Sequence, residues 1–141
     1  MTVPNPSRGK VLVVDDDPVV LAVVKEWLER AGYAVLTRES ALGTAEWVMH
    51  ERPEYVLLDV RMPALSGGEL AHLLKRVDAE GHMAVILHSA METGELAQLA
   101  RDTGAAGSIQ KTSRERQFVA HFERLAARSR AAKLAVAAKA F

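Results

Sequence analysis

Short apolar runs alternate along this chain with longer segments in which apolar residues recur at helical spacing. VLVV at residues 11–14 precedes residues 18–30, whose apolar positions repeat every three or four residues and end before Gly32. The same pair of signals occurs four more times, at 33–37 with 40–50, 55–59 with 67–80, 84–89 with 92–104, and 107–111 with a long segment from about 113. The pattern predicts five β-strands, each followed by an α-helix.

The predicted strands are apolar almost throughout. A strand of this kind is buried on both faces, and a helix after each strand provides the cover. We therefore predict an α/β fold with a doubly wound parallel sheet between two layers of helices. In such sheets ligands bind at the carboxyl ends of the strands, where the winding direction switches.

Polar side chains stand at the ends of four predicted strands: Asp15, Asp16 and Asp17 after the first, Asp59 at the third, Ser89 at the fourth and Lys111 at the fifth. Neighbouring parallel strands lie about 4.8 Å apart, so carboxylates from the first and third strands can meet at one cation. Adjacent carboxylates repel each other, and a cation relieves that repulsion. Oxygen ligands without His or Cys favour a hard ion, and Mg²⁺ is the prediction.

This set of residues suits phosphoryl transfer. A carboxylate beside Mg²⁺ stays ionised and can attack phosphorus to form an acyl phosphate. Lys111 is placed to neutralise charge on the transferring group, and the Ser89 hydroxyl to hydrogen-bond a phosphoryl oxygen.

Four stretches carry a resemblance to a known family: VLVVDDDP, VLLDVRMPALSGGEL, ILHSA and GAAGSIQK. In this order and spacing they resemble the receiver domain of two-component response regulators, over about residues 9–127. The resemblance implies a CheY-like, flavodoxin-like (βα)5 three-layer fold with strand order 2-1-3-4-5. It also implies Mg²⁺ dependence and phosphoryl transfer from a histidine kinase or a phosphotransfer protein. A downstream protein partner would then bind the changed surface of the domain.

The resemblance also assigns roles to residues. It implies that Asp59 is the phosphoacceptor. It implies that Asp16 binds the metal directly, that Asp15 acts through water or as a second acid, and that the Arg61 carbonyl completes the metal site. It also implies that Ser89 and Lys111 bind the phosphoryl oxygens. Asp17 matches none of these roles and is predicted to cap the first helix.

Two positions depart from the family pattern. Ser108 stands where an aromatic residue is usual, three before Lys111, and Thr112 stands where proline usually follows the lysine. The aromatic ring normally moves together with the hydroxyl at the position of Ser89, so its absence puts that coupling in question.

Two other interpretations stay open. VLVVDDDPVV also fits the Asp-x-Asp-x-Val pattern of haloacid-dehalogenase-type phosphatases, with Asp15 as nucleophile and Asp17 as general acid. That family needs an acidic pair after the lysine, for which only Glu115 and Glu123 are available, and it leaves Asp59 without a role. The second is a receiver-like interaction module that works without phosphorylation.

As a receiver, the protein is expected to react only at its own aspartate and not to be an enzyme in the usual sense.

Composition narrows the function classes. A chain of 141 residues suits one domain, and 18 basic residues balance 18 acidic ones, so no global charge argues for direct DNA binding. The chain has no cysteine and no apolar run near the ~20 residues of a membrane span, which predicts a cytoplasmic protein without membrane attachment. Its five histidines lack metal-ligand spacing and are expected at the surface or in supporting positions.

The two ends of the chain are predicted to differ from the domain between them. Residues 1–8 are expected to be a flexible lead-in, 9–127 the receiver domain, and 128–141 an extension of the last helix. One stripe of that helix holds Phe118, Phe122, Leu125, Ser129, Ala132 and Val136. Its first half is expected to dock on the sheet. The second half is expected either to be a frayed, alanine-rich tail or to pair with a partner helix, from a second copy, giving a homodimer, or from an output segment.

Overall fold

A computed structural model describes residues 8–62, 66–78 and 81–139. The strands are β1 Lys10–Val14, β2 Ala34–Arg38, β3 Tyr55–Asp59, β4 Ala84–Ser89 and β5 Gly107–Gln110. The helices are α1 Pro18–Arg30, α2 Thr44–Glu51, α3 Gly67–Val77, α4 Thr93–Thr103 and α5 Glu115–Lys139. All strand pairs are parallel, and the sheet order is β2-β1-β3-β4-β5. The predicted doubly wound fold and strand order are confirmed.

Local hydrogen bonds fix where the helices begin. Asp17 Oδ1 accepts a bond of 2.9 Å from the Val19 amide, and Pro18 starts the first turn, so the predicted cap of α1 is confirmed. At α3 the Ser66 hydroxyl accepts a bond of 3.1 Å from the Glu69 amide.

The second helix begins later than the sequence pattern predicts. The periodic segment starts at Ser40, but α2 starts at Thr44 because Gly43 has a left-handed backbone with φ of 79°. The Thr44 hydroxyl donates back to the Ser40 carbonyl at 2.9 Å, and Arg38 donates to the Leu42 carbonyl at 2.8 Å. These bonds hold the segment as a tight turn beside the end of β2.

The core consists of two apolar layers, one on each face of the sheet. Helices α1 and α5 cover one face, and α2, α3 and α4 cover the other. An aromatic cluster fills the first layer, in which Phe122 lies 5.2 Å from Tyr33 and 5.5 Å from Tyr55 between ring centroids. Strands β1, β3 and β4 are almost fully buried, so the middle of the sheet is a rigid support for the side chains at its end.

Helix α5 runs from the carboxyl edge of the sheet past its amino edge. Its buried residues are Phe118, Phe122, Leu125 and Ala126, which confirms that the first half of the predicted stripe docks. Beyond them the helix continues without a break, and Leu134 and Val136 are 71% and 69% exposed. Two contacts hold this extension to the domain: Arg130 Nη1 donates to the Tyr55 hydroxyl at 3.0 Å, and Lys133 Nζ donates to the His82 carbonyl.

We expect Arg130→Ala to loosen the extension without unfolding the domain. A helix segment of this length is marginal in water by itself, so loss of a bond worth about 1 kcal/mol should raise amide hydrogen exchange after residue 131 about fivefold. Hydrogen exchange by mass spectrometry measures this. Arg128→Ala, which removes an exposed arginine from the same turn of helix, is the control and should leave exchange unchanged.

Among the described residues, no helix combines the length and apolar character that crossing a membrane requires.

Candidate functional site

Three carboxylates meet at the carboxyl edge of the sheet. Asp59 is the last residue of β3, and Asp15 and Asp16 directly follow the neighbouring strand β1. One oxygen of each lies within 4.8 Å of the others. Asp15 is 1% exposed and Asp59 5%, whereas Asp16 stands at the exposed mouth.

Backbone amides orient the two buried carboxylates. Asp15 Oδ1 accepts a bond of 2.9 Å from the Asp17 amide, and Asp59 Oδ1 accepts a longer one, 3.4 Å, from the Arg61 amide. Asp15 Oδ2 is buried and lies next to an ammonium group, so this oxygen already faces a cation.

Lys111 supplies that ammonium group. It follows β5, and its amide donates to the Ser89 carbonyl at 2.8 Å, which aligns it with the end of β4. Lys111 Nζ lies 2.9 Å from Asp15 Oδ2 and 3.5 Å from Asp59 Oδ1. Burial alone lowers the pKa of Lys111, but the hydrogen bond and charge of Asp15, together with Asp59, outweigh it and the pKa is raised. The side chain is therefore a fixed positive charge.

The pKa of Asp59 is shifted in the opposite direction from that of a typical ion-paired carboxyl group. Burial and then the neighbouring charge of Asp15 raise its pKa, and the attraction of Lys111 and the Arg61 amide only partly compensate. The pocket thus contains more negative charge than Lys111 balances.

Ser89 ends β4 beside these groups and is 2% exposed. Its oxygen accepts a bond of 3.1 Å from the Met91 amide, and this bond does not use the hydroxyl proton. Asp59 is paired in register with His88, which places the Ser89 hydroxyl one residue beyond the carboxylate on the adjacent strand.

Other positions singled out from the sequence lie around this centre. Asp17 is exposed and caps α1, and Arg61 contacts Asp59 through its amide, so its carbonyl as a metal ligand stays a prediction. Ser108 is a half-buried residue of β5. Thr112 Oγ1 accepts a bond of 3.2 Å from the Arg114 amide and so forms the turn into α5.

Sequence reasoning did not foresee the environment of His88. The residue lies in β4 and is 3% exposed, with its ring 5.4 Å from that of Phe118 between centroids. Burial, and then the charge of Lys111, lower its pKa to about 3, so the imidazole is neutral at physiological pH. The one available signal was its position inside the apolar run AVILHS.

These residues fit a hard divalent cation. The donors are carboxylate oxygens from Asp15, Asp16 and Asp59, and the buried Oδ2 of Asp15 already faces a cation, the ammonium group of Lys111 at 2.9 Å. Mg²⁺ typically binds through one or two carboxylates and keeps several waters, which suits a cluster open to solvent at Asp16.

The raised pKa of Asp59 predicts how its substitution changes stability. The folded state binds this proton more tightly than the unfolded state, so ionisation costs stability as pH rises through the ordinary aspartate range and above it. Asp59→Asn is therefore expected to melt at a higher temperature than wild type at pH 7 without Mg²⁺. The gain should shrink as pH falls into and below that range.

Melting temperatures across pH in chelator test this expectation. Asp102→Asn, the same change at an exposed carboxylate of α4, is the control for removing one carboxylate from the protein. A melting temperature of Asp59→Asn equal to or below wild type at pH 7 would contradict the electrostatic description of the pocket.

Comparison with known proteins agrees with this geometry. The sequence profile of the response regulator receiver domain matches residues 11–123. Sporulation initiation phosphotransferase F of Bacillus subtilis is 29% identical over 96 residues, which cover 68% of this chain and 76% of that protein. The phosphate regulon transcriptional regulatory protein PhoB of Pseudomonas aeruginosa is 29% identical over 113 residues, 80% of this chain and 49% of PhoB. The chain thus spans about half the length of that relative.

Solved structures show the same fold. The chemotaxis protein CheY4 of Vibrio cholerae has a TM-score of 0.75 at 23% identity, covering 82% of this chain and 97% of CheY4. NtrX of Brucella abortus has a TM-score of 0.82 at 24% identity, covering 91% of this chain and 29% of NtrX. The profile covers most of the chain, and the acidic, hydroxyl and lysine residues of the chain meet at one edge of a 2-1-3-4-5 sheet. The chain therefore belongs to the response regulator receiver domain family.

Proposed function

We propose that Asp59 accepts a phosphoryl group from a phosphohistidine of a histidine kinase or phosphotransfer protein, and that the phosphorylated domain signals through a changed surface. The observation that carries this proposal is the meeting of three carboxylates with Lys111 at one sheet edge. A carboxylate oxygen of Asp59 forms the new O–P bond while the N–P bond of the donor breaks. The electron pair of that bond stays on the donor imidazole.

The other residues have supporting roles in this proposal. Asp15, Asp16 and the Arg61 carbonyl would hold Mg²⁺, which, when bound, supplies positive charge beside the phosphoryl oxygens. Lys111 exchanges its contact with Asp59 for a phosphoryl oxygen. Ser89 donates its hydroxyl proton to another phosphoryl oxygen, and both contacts draw the ends of β4 and β5 toward Asp59.

Acetyl phosphate tests the proposal without a partner protein. We expect the intact mass of the protein to increase by one phosphoryl group with acetyl phosphate and Mg²⁺, and not when the metal is chelated. No increase under either condition would support the other interpretation, a receiver-like module that works without phosphorylation, to which the departures at Ser108 and Thr112 point.

The proposal limits the chemistry to the protein's own aspartate. A phosphatase of the dehalogenase type would use Asp17 as a general acid, but Asp17 is exposed and its carboxylate accepts a bond from the Val19 amide. We expect no turnover of a chromogenic phosphate ester with Mg²⁺. Turnover that Asp15→Asn abolishes and Asp59→Asn does not would support the phosphatase instead.

Further features of the biology stay predictions. We propose a cytoplasmic protein that contacts a downstream protein and not DNA. Whether the last helix also pairs two copies of the chain is tested by light scattering of the full chain and of a truncation at Arg128. Identical monomer masses at high concentration would contradict the dimer.

A further inference from the structure

We propose that the groove at the amino edge of the sheet, between the α5 extension and the loops before β4 and β5, binds an acidic amphipathic helix of another protein. We call it the basal groove. It has a volume of about 640 Å³, and its apolar lining includes Met83, Val85, Ala106, Ala132 and Val136. It lies at the opposite edge of the sheet from Asp59, so the phosphorylation chemistry gives it no role.

One wall of the groove is a helix with small side chains. Ser129, Ala132 and Val136 recur at spacings of three and four, so they form one face of α5 along the groove. From Ser129 to Ala137 this wall is about 12 Å long at 1.5 Å per residue. Because serine and alanine project little, a second helix can approach closely and place side chains spaced i, i+3, i+4 and i+7 against the wall.

The wall is held in place before any partner binds. Arg130 donates to the Tyr55 hydroxyl at 3.0 Å, and Lys133 donates to the His82 carbonyl, so two points of the extension are fixed to the first residue of β3 and to the loop before β4. A partner does not have to order this helix, which reduces the entropic cost of binding.

The charge around the groove decides which helix it suits. The segment from Ser129 to Lys139 contains Arg130, Lys133 and Lys139 and no acidic residue; of these Lys133 lines the groove, whereas Arg130 lines a different pocket. Lys75 and Lys133 line the groove. Of the described lining residues the one acid is Asp78, whose carboxylate accepts bonds from the His82 and Met83 amides at 3.0 and 2.9 Å. The local charge is therefore complementary to an acidic partner.

The same charge argues against a second copy as the occupant. The extension of a second copy would bring its own basic residues to a groove that already carries Lys75 and Lys133. Like charges placed together at an interface disfavour the wrong partner.

A defined peptide tests the proposal. The probe is a fluorescein-labelled 18-residue peptide with leucines at helical spacing and glutamates elsewhere, and fluorescence anisotropy measures its binding to the full chain. We expect micromolar affinity. A peptide of the same composition with scrambled leucines, and one with lysine in place of glutamate, should bind at least tenfold more weakly.

Two neighbouring alanines provide a matched pair of variants. Ala132→Asp places a charge in the groove and should weaken peptide binding at least tenfold. Ala131→Asp adds the same charge to the same helix at another exposed position, outside the groove lining, and should bind as wild type does. Helicity by circular dichroism checks that both variants keep α5.

Several results would overturn the proposal. Equal loss in both variants would show unspecific charge attraction, and equal binding of the scrambled peptide would show that no helix is recognised. A dimer in light scattering that Ala132→Asp dissociates and Ala131→Asp does not would assign the groove to a second copy. The groove lies at the opposite edge of the sheet from Asp59, so failure of peptide binding would leave the proposed phosphorylation unaffected, and the two proposals fail separately.

Discussion

Asp59→Asn is expected to gain no phosphoryl group from acetyl phosphate and Mg²⁺ under conditions that fully modify the wild type. An amide oxygen is a far weaker nucleophile than a carboxylate, and no other described carboxylate sits in the same position. Asp15 is paired with Lys111 at 2.9 Å, and Asp16 stands at the exposed mouth of the pocket. The loss should therefore be complete within the detection limit of intact mass spectrometry.

A variant at a metal ligand distinguishes loss of the nucleophile from loss of the bound cation. Asp16→Asn should still be modified, at a rate that rises with Mg²⁺ concentration, because it keeps the nucleophile and loses a metal contact. Asp102→Asn, at the exposed end of α4, controls for the general effect of removing a carboxylate and should react as wild type does. A mass gain in Asp59→Asn equal to that of wild type would contradict the assignment of the phosphoacceptor.

The strands and helices of this fold were predictable because the burial pattern of each one is visible in its own stretch of sequence. A strand covered on both faces has to be apolar along its whole length, and β3 and β4 are buried at every position. The start of α2 was not predictable in this way. The periodic pattern extends back to Ser40, and only the left-handed conformation of Gly43 ends it, which depends on the path of the turn after β2.

The gathering of site residues at one edge followed from the rule that ligands bind at strand ends. The sequence alone did not specify which carboxylates Lys111 contacts or at what distances. A long side chain that reaches across β4 can take several rotamers, and its closest partner is Asp15, with Asp59 farther away. His88 was missed for a related reason, since a polar residue within a strand is buried or exposed according to which helix covers it, and here Phe118 of α5 does so.

The behaviour of the last helix was half predictable. Apolar residues large enough to fill a core, such as Phe118 and Phe122, identified the docked half. Beyond Ala126 the stripe contains small residues, and the position of the extension depends on single polar contacts such as Arg130 with Tyr55. Such a contact joins residues 75 positions apart and leaves no periodic signal in the sequence.

Lys111→Ala is expected to change two properties in opposite directions. Without Mg²⁺, the ammonium group lies between Asp15 and Asp59, where it competes electrostatically with a divalent cation for the same carboxylates. Its removal should tighten Mg²⁺ binding about tenfold, or about 1.4 kcal/mol. The same removal takes away a positive charge aimed at the transferring phosphoryl group, which should slow modification by acetyl phosphate roughly a hundredfold.

Isothermal titration with Mg²⁺ and the rate of mass gain at saturating Mg²⁺ measure the two effects separately. Lys10→Ala is the matched control, because Lys10 is also half-buried and paired with a carboxylate, Glu51 at 3.2 Å, but lies at the opposite edge of the sheet. It should alter neither property. If Lys111→Ala weakened both Mg²⁺ binding and phosphoryl uptake, the lysine would be holding the carboxylates in place for the metal, and the competition inferred from its position between Asp15 and Asp59 would be wrong.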